Sequence, residues 1–170
     1  MKNILFTLAL LVSFSSFGQI DREYMWYFNE GDKKFDNGDY YGAIYEYTKS
    51  IETGNFHPPS LINRALAKAK IGDLKSAFDD INYAIEEVPE FGTLYFYRGL
   101  IKLEHSKEYY SAISDFMRAI ESDNKNGKYF YYLGLTKEQI GDTNSACLDW
   151  KKAVELGNTS AANKLAKQCN

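Results

Sequence analysis

The chain repeats itself with a period of 34 residues. Gly38-Asp39-Tyr40, Gly72-Asp73-Leu74 and Gly141-Asp142-Thr143 are each followed by an alanine at the fifth residue after the glycine: Ala43, Ala77 and Ala146. A further copy, Lys107-Glu108-Tyr109 followed by Ala112, fills the gap, with one extra residue in the turn from Glu104 to Tyr109. The units run over residues 24–57, 58–91, 92–126 and 127–160. Each has a small residue before the turn (Gly31, Ala65, Gly99, Gly134), with Tyr27, Leu61, Tyr95 or Phe130 four positions earlier. Tyr47, Ile81, Phe116 and Trp150 come four positions after the alanines. Apolar residues at i, i+3, i+4 and i+7 in each half-unit predict two amphipathic helices of about 14 residues. Gly-Asp stops the first and caps the second. The small residues are where two helix axes can approach closely, with the large ones filling the grooves around them. A second alanine column, Ala84, Ala119 and Ala153, is broken only by Ser50, and Pro89 ends the second helix of unit two.

This pattern closely resembles the tetratricopeptide repeat family, whose 34-residue helix-turn-helix carries an aromatic, a small residue, a Gly-x-Tyr-like turn, Ala-x3-Phe and a closing proline. The resemblance covers residues 24 to about 160. Lys34, Lys68 and Lys102 stand where the family has Tyr, and only the second unit keeps the proline. The resemblance implies an all-α fold, a right-handed superhelix (α-solenoid) of four helix-turn-helix units plus a C-terminal capping helix. Residues 159 to 169 supply that cap, with Ala162, Leu165 and Ala166 on one side.

In such a superhelix the first helix of each unit faces a concave groove in which extended peptides bind. The family's inward positions fall on Phe28 and Asp32, on Ile62, Asn63 and Leu66, on Phe96, Tyr97 and Leu100, and on Tyr131, Tyr132 and Leu135. Of the Lys, Asn and Arg set with which family members grip a C-terminal carboxylate, only Asn63 lies at a matching place, which disfavours chaperone-tail binding. The 14 Tyr and 11 Phe of the chain instead suit an apolar or aromatic peptide segment, with hydroxyls adding directional bonds. Phe28, Ile62 and Phe96 read first as packing residues, since most periodic apolar positions are buried. Tyr97 and Tyr132, one residue further round the helix, are the better contact residues.

The amino terminus reads as processing rather than fold. Met1-Lys2-Asn3 is a short positive start, Ile4 to Phe14 is an apolar run, and Ser15-Ser16-Phe17-Gly18 supplies small residues before a cut at Gln19. As a helix the run rises about 16 Å, half the roughly 30 Å hydrocarbon core, so a cleaved secretory signal over residues 1–18 is the better reading than a permanent anchor. The expectation is an exported chain, periplasmic or secreted, with no stable membrane span after cleavage.

Twenty Lys+Arg against 23 Asp+Glu give a net charge of -3, which offers no basic field for nucleic acid. With His57 and His105 as the only histidines, metal ligands and nucleophile-base pairs are scarce, and neither a cofactor, a metal nor catalysis is expected. Both histidines read as exposed loop residues. Asp79-Asp80 and Glu86-Glu87 read as a solvated helix face. Cys147 stands where other units carry Ile44, Phe78 and Ile113, a small apolar core position. If the last two helices turn near Gly157-Asn158, Cys147 also lies opposite Cys169, and export would favour a disulfide. The leading expectation is a non-enzymatic scaffold or adaptor for a protein or peptide. The alternatives are an accessory subunit of an envelope enzyme or transport complex, or a structural protein that self-associates through Tyr40-Tyr41 and Tyr109-Tyr110.

Overall fold

The computed structural model describes residues 23–53 and 56–169. The signal-segment reading of residues 1–18 lies outside them. The described residues are helical and contain no strand. Helix α1 covers 23–36, followed by α2 (Tyr40–Thr53), α3 (Pro58–Lys70), α4 (Leu74–Glu87) and α5 (Gly92–Ile101), which continues into a π-helical turn at Lys102–Ser106. Then come α6 (Tyr109–Ser122), α7 (Gly127–Gln139), α8 (Thr143–Glu155) and α9 (Thr159–Gln168). The chain divides into two compact units, Met1–Ile71 and Gly72–Asn170. The first carries α1 to α3 and the second α4 to α9. No described helix is long and apolar enough to cross a membrane.

Turn chemistry explains where the helices stop and start. Gly38, Gly72 and Gly141 adopt φ of 77°, 85° and 81°, the left-handed conformation that ends a helix without a Cβ clash. The following aspartates cap the next helix: Asp39, Asp73 and Asp142 accept hydrogen bonds from the backbone N–H of Gly42, Ser76 and Ser145 at 2.9, 3.2 and 3.1 Å. The third repeat lacks this pair. Lys107 takes the left-handed conformation itself at φ 58°, Glu108 makes no side-chain cap, and the extra residue is absorbed by the π-helical turn, where the N–H of Glu108 reaches back to the Lys102 carbonyl at 3.1 Å.

Within each unit the small and large positions meet. A Cβ added to Gly31 would lie 2.6 Å from the Tyr47 ring, one on Gly99 2.8 Å from the Phe116 ring, and one on Gly134 2.5 Å from Trp150 Nε1. These glycines set how near α1 comes to α2, α5 to α6 and α7 to α8, and an alanine at any of them overpacks the contact. Trp150 also donates its Nε1–H to the Tyr131 carbonyl at 3.2 Å. Ala43, Ala77, Ala112 and Ala146 are fully buried, as are Ala84, Ala119 and Ala153. At the exception, Ser50 shares a buried 2.9 Å hydrogen bond with Ser60 on α3, so a polar pair replaces the alanine contact without an unsatisfied hydroxyl.

Lys34 and Lys102, two of the lysines that depart from the family pattern, pair with acids of their own repeats, and Lys137 at the corresponding place in the fourth does the same. Lys34 lies 4.0 Å from Glu46, Lys102 2.7 Å from Asp115 and Lys137 2.7 Å from Asp149. Each pair joins the first helix of a repeat to a carboxylate three positions after the buried alanine. Burial pushes the Asp149 carboxyl up, with Lys137 pulling the other way. Asp115, 5% exposed, takes Arg98 as well, which donates from Nη2 to Oδ1 at 2.7 Å and from Nε to Oδ2 at 3.0 Å.

Several expectations are corrected. Asp80 is buried rather than part of a solvated face, because adjacent helical residues point about 100° apart and Asp79 takes the outward direction. His57 and His105 are half-buried, not exposed. In α9 the buried face is Ala161 with Leu165 and Cys169, packed against Ala146, Trp150 and Ala153 of α8, while Ala162 and Ala166 are exposed. Capping by Asn158, which accepts from the Ala161 N–H at 3.0 Å, fixes that rotation. Cys147 and Cys169 form a disulfide with Cα atoms 5.7 Å apart, closing α9 onto α8.

Candidate functional site

The positions assigned to a peptide surface fall in both compact units, and each unit builds its share differently. In the first, α1 supplies Phe28 and Asp32, and α3 supplies Ile62, Asn63 and Leu66. Ile62 is only 4% exposed and belongs to the core. Phe28 is half-buried, its ring 6.0 Å from that of Tyr47 and edge-on to the His57 imidazole at 5.2 Å. Asp32 is the polar centre. Its Oδ1 accepts a hydrogen bond from the Tyr47 hydroxyl at 2.7 Å and another from Asn63 Nδ2 at 2.9 Å. Burial, reinforced by Asp32, pushes the Tyr47 hydroxyl far above the usual phenol range, so it stays a donor. Asp32, Phe35, Asp36, Tyr47, Asn63 and Leu66 line a shallow depression of about 260 Å³.

His57 is the residue that sequence reasoning placed wrongly here. It is the N-cap residue of α3, its Nδ1 is 2.7 Å from the Ser60 hydroxyl, and Tyr24 and Phe28 of α1 bracket its ring at 5.1 and 5.2 Å. Burial lowers its pKa below the ordinary histidine value. The available signal was its position between two helices that each present an aromatic or a hydroxyl.

In the second unit, Phe96 is 2% exposed and sits in a cluster with Phe116, Tyr129 and Leu133, with Tyr97, Leu100 and Tyr132 packed around it. Ring centroids of Tyr97 and Tyr132 are 5.3 and 5.5 Å from that of Phe96, both edge-on. These tyrosines are half-buried. Burial raises both hydroxyls, which therefore remain hydrogen-bond donors. Tyr131 stands edge-on to Tyr132 at 5.3 Å, and with Leu135 it packs against the α8–α9 cluster. Tyr131 also forms one wall of a hollow of about 410 Å³ lined otherwise by Ser160, Asn163, Lys164, Lys167 and Gln168 of α9. Lys128 extends over the Phe96 and Tyr97 rings, 4.9 and 5.9 Å from their centroids.

Ile62 and Phe96 are thus structural, while Asp32, Asn63, Leu66, Tyr97, Leu100, Tyr131, Tyr132 and Leu135 keep part of their surface open. Taken unit by unit, the first offers a carboxamide and a leucine beside an engaged aspartate, and the second offers ring faces and tyrosine hydroxyls that can donate hydrogen bonds. Among the described residues no cluster of His, Cys, Asp and Glu could hold a metal ion.

No protein-family model matches the chain. A curated relative, small glutamine-rich tetratricopeptide repeat-containing protein 2 of Mycosarcoma maydis, is 34% identical over 117 residues, which is 69% of this chain and 33% of the relative. The chain therefore spans about a third of that protein's length. Among solved structures, pilF of Pseudomonas aeruginosa superposes with a TM-score of 0.78 at 18% identity, covering 88% of this chain and 69% of that one. YrrB, described as a TPR protein with an unusual peptide-binding site, superposes with a TM-score of 0.67 at 18% identity over 90% of this chain and 86% of its own. Likeness at that identity establishes the fold, and it is the α-solenoid fold of stacked helix pairs.

Proposed function

Because this chain belongs to the tetratricopeptide repeat family, we propose that it is an exported, non-enzymatic scaffold that captures a peptide or protein segment on the first-helix faces of its repeats. The protein-binding character follows the family, whose members include the peptide-binding YrrB. The observation that carries the reading for this chain is the Tyr97–Tyr132 surface. Two phenol hydroxyls able to donate stand beside ring surface that is already pre-ordered by Phe96 and Phe116, so a bound segment gains contact area with little side-chain entropy to lose. Export is supported by the leader-like residues 1–18 and by the Cys147–Cys169 disulfide, a bond that persists in oxidising compartments.

The test is crosslinking in the native host with the wild-type chain and with Tyr97→Phe/Tyr132→Phe. Both rings pack on the core, so alanine would confound binding with stability, whereas phenylalanine removes only the hydroxyls. Loss of about tenfold in captured partner with unchanged melting supports the reading, a hydrogen bond left unmade in the complex being worth about 1 to 2 kcal/mol. Undiminished capture assigns these tyrosines to packing alone. Fractionation with amino-terminal sequencing tests export, the expected mature residue being Gln19.

Self-association is the second reading. Tyr41 and Tyr110, at matching places on α2 and α6, are 74% and 75% exposed, unusually open for rings of that size. Sedimentation of Tyr41→Ser/Tyr110→Ser against wild type decides it, a shift from dimer to monomer supporting association.

A further inference from the structure

Resting on the reading of the first-helix faces as a peptide surface, we infer that Lys128 selects what the second unit holds: an internal segment carrying an Asp or Glu side chain next to an apolar residue. Lys128 is exposed on the first turn of α7. Three lysines of this unit are committed to acids, Lys102 to Asp115, Lys137 to Asp149 and Lys164 to Glu138. Lys128 is not; among the described residues no carboxylate pairs with it, and its ammonium rests on the ring faces of Phe96 and Tyr97.

A cation over an aromatic face at an exposed site is held weakly, and a carboxylate partly desolvated against the half-buried rings makes a stronger charge-assisted hydrogen bond to it than one in open water. An arriving carboxylate therefore draws the ammonium away from the rings. The same movement opens the half-buried face of Tyr97 to the apolar side chain beside that carboxylate. One event satisfies the charge and opens the contact, which couples the two features in the ligand. A chain terminus is the poorer match. It is best held by several converging donors, whereas Lys128 is a single point charge with no guanidinium fork beside it.

The probe is a displayed library of random peptides of about twelve residues, flanked on both sides by Gly-Ser spacers so that no terminal carboxylate is near, panned on the full chain. Wild type is expected to enrich Asp or Glu adjacent to Phe, Tyr or Leu. Lys128→Glu is expected to shift enrichment to Lys or Arg beside the same apolar residues and to weaken binding of wild-type-selected peptides about tenfold or more. Lys128→Met should keep the apolar preference and lose the acidic one; it decides the matter if the charge reversal lowers helical content. Apolar enrichment with no acidic preference in wild type, unchanged by Lys128→Glu, overturns the inference while leaving the peptide surface standing. Absence of any enrichment that depends on Tyr97 and Tyr132 overturns both.

Discussion

The first unit and the second carry their candidate contacts at corresponding helix positions and fill them with opposite chemistry. In the first, the centre is an aspartate already engaged by a buried phenol and a carboxamide, and Lys34 is shared loosely between Asp39 at 3.6 Å and Glu46 at 4.0 Å. In the second, the centre is a stack of rings with a lysine laid over it, and the buried acid Asp115 is held by two cations at 2.7 Å. A repeat therefore fixes where a side chain stands and leaves open what it does. The first unit spends its polar groups on internal hydrogen bonds, whereas the second internalises its ion pairs and keeps Lys128 and two tyrosine hydroxyls beside its ring stack.

The difference in ion pairs gives the largest test. Asp115→Ala leaves Arg98 and Lys102 without their shared, almost fully buried carboxylate, and the expected loss is about 3 to 5 kcal/mol. Glu46→Ala at the matching place in the first unit touches a lysine that is more than a third exposed and only distantly paired, so the loss of the ion pair costs less than about 1 kcal/mol. Denaturant unfolding of both variants, with amide exchange read separately for α2 and α6, checks the ratio. Equal losses would mean that the two pairs are equivalent and that the contrast between the units is one of spacing only.

The carboxyl-terminal helix gives the next effect. Reducing the Cys147–Cys169 bond, which closes a loop of 22 residues, is expected to lower stability by about 3 kcal/mol in the chain-entropy description. Exchange should rise first in α9, with α1 to α3 unaffected. Protection of α9 that survives reduction would show that Ala161, Leu165 and the Lys164–Glu138 pair hold it without the covalent link.

Most of the fold was legible because its signals are local. Gly-Asp turns, glycine opposite a large aromatic, and alanines at fixed offsets each state a short-range requirement, and the helices follow them. The inserted residue before Lys107 was visible as an extra count, but not its resolution into a π-helical turn, since that depends on how α5 and α6 settle against each other. Candidate contacts were legible as positions and less so as roles. Ile62 and Phe96 are core, while Asp80 is buried and His57 half-buried by neighbours whose rotation no single helix pattern specifies. Lys34 and Lys102 looked like departures from the repeat until their acids, twelve and thirteen residues further on, were placed beside them.

The smallest effect is also the most local. His57 is enclosed by Tyr24 and Phe28 and joined through Ser60 to Ser50, and burial lowers its pKa in the folded state. The unfolded chain therefore binds the proton more readily, at an ordinary value of about 6.5. Stability contributed by neutral His57 is present above that value and is lost as pH falls below it toward the folded-state pKa. The second unit has no counterpart of this hydroxyl-imidazole chain, because Ala84, Ala119 and Ala153 occupy the places of Ser50. Acidification from pH 7.5 to about 5.5 should thus raise exchange in α1 and α3 before it touches α6 and α7, and His57→Gln should abolish that difference while lowering stability at neutral pH by no more than about 1 kcal/mol. An acid response in α1 and α3 that persists in the variant would move the titrating group elsewhere and remove His57 from the contrast between the two units.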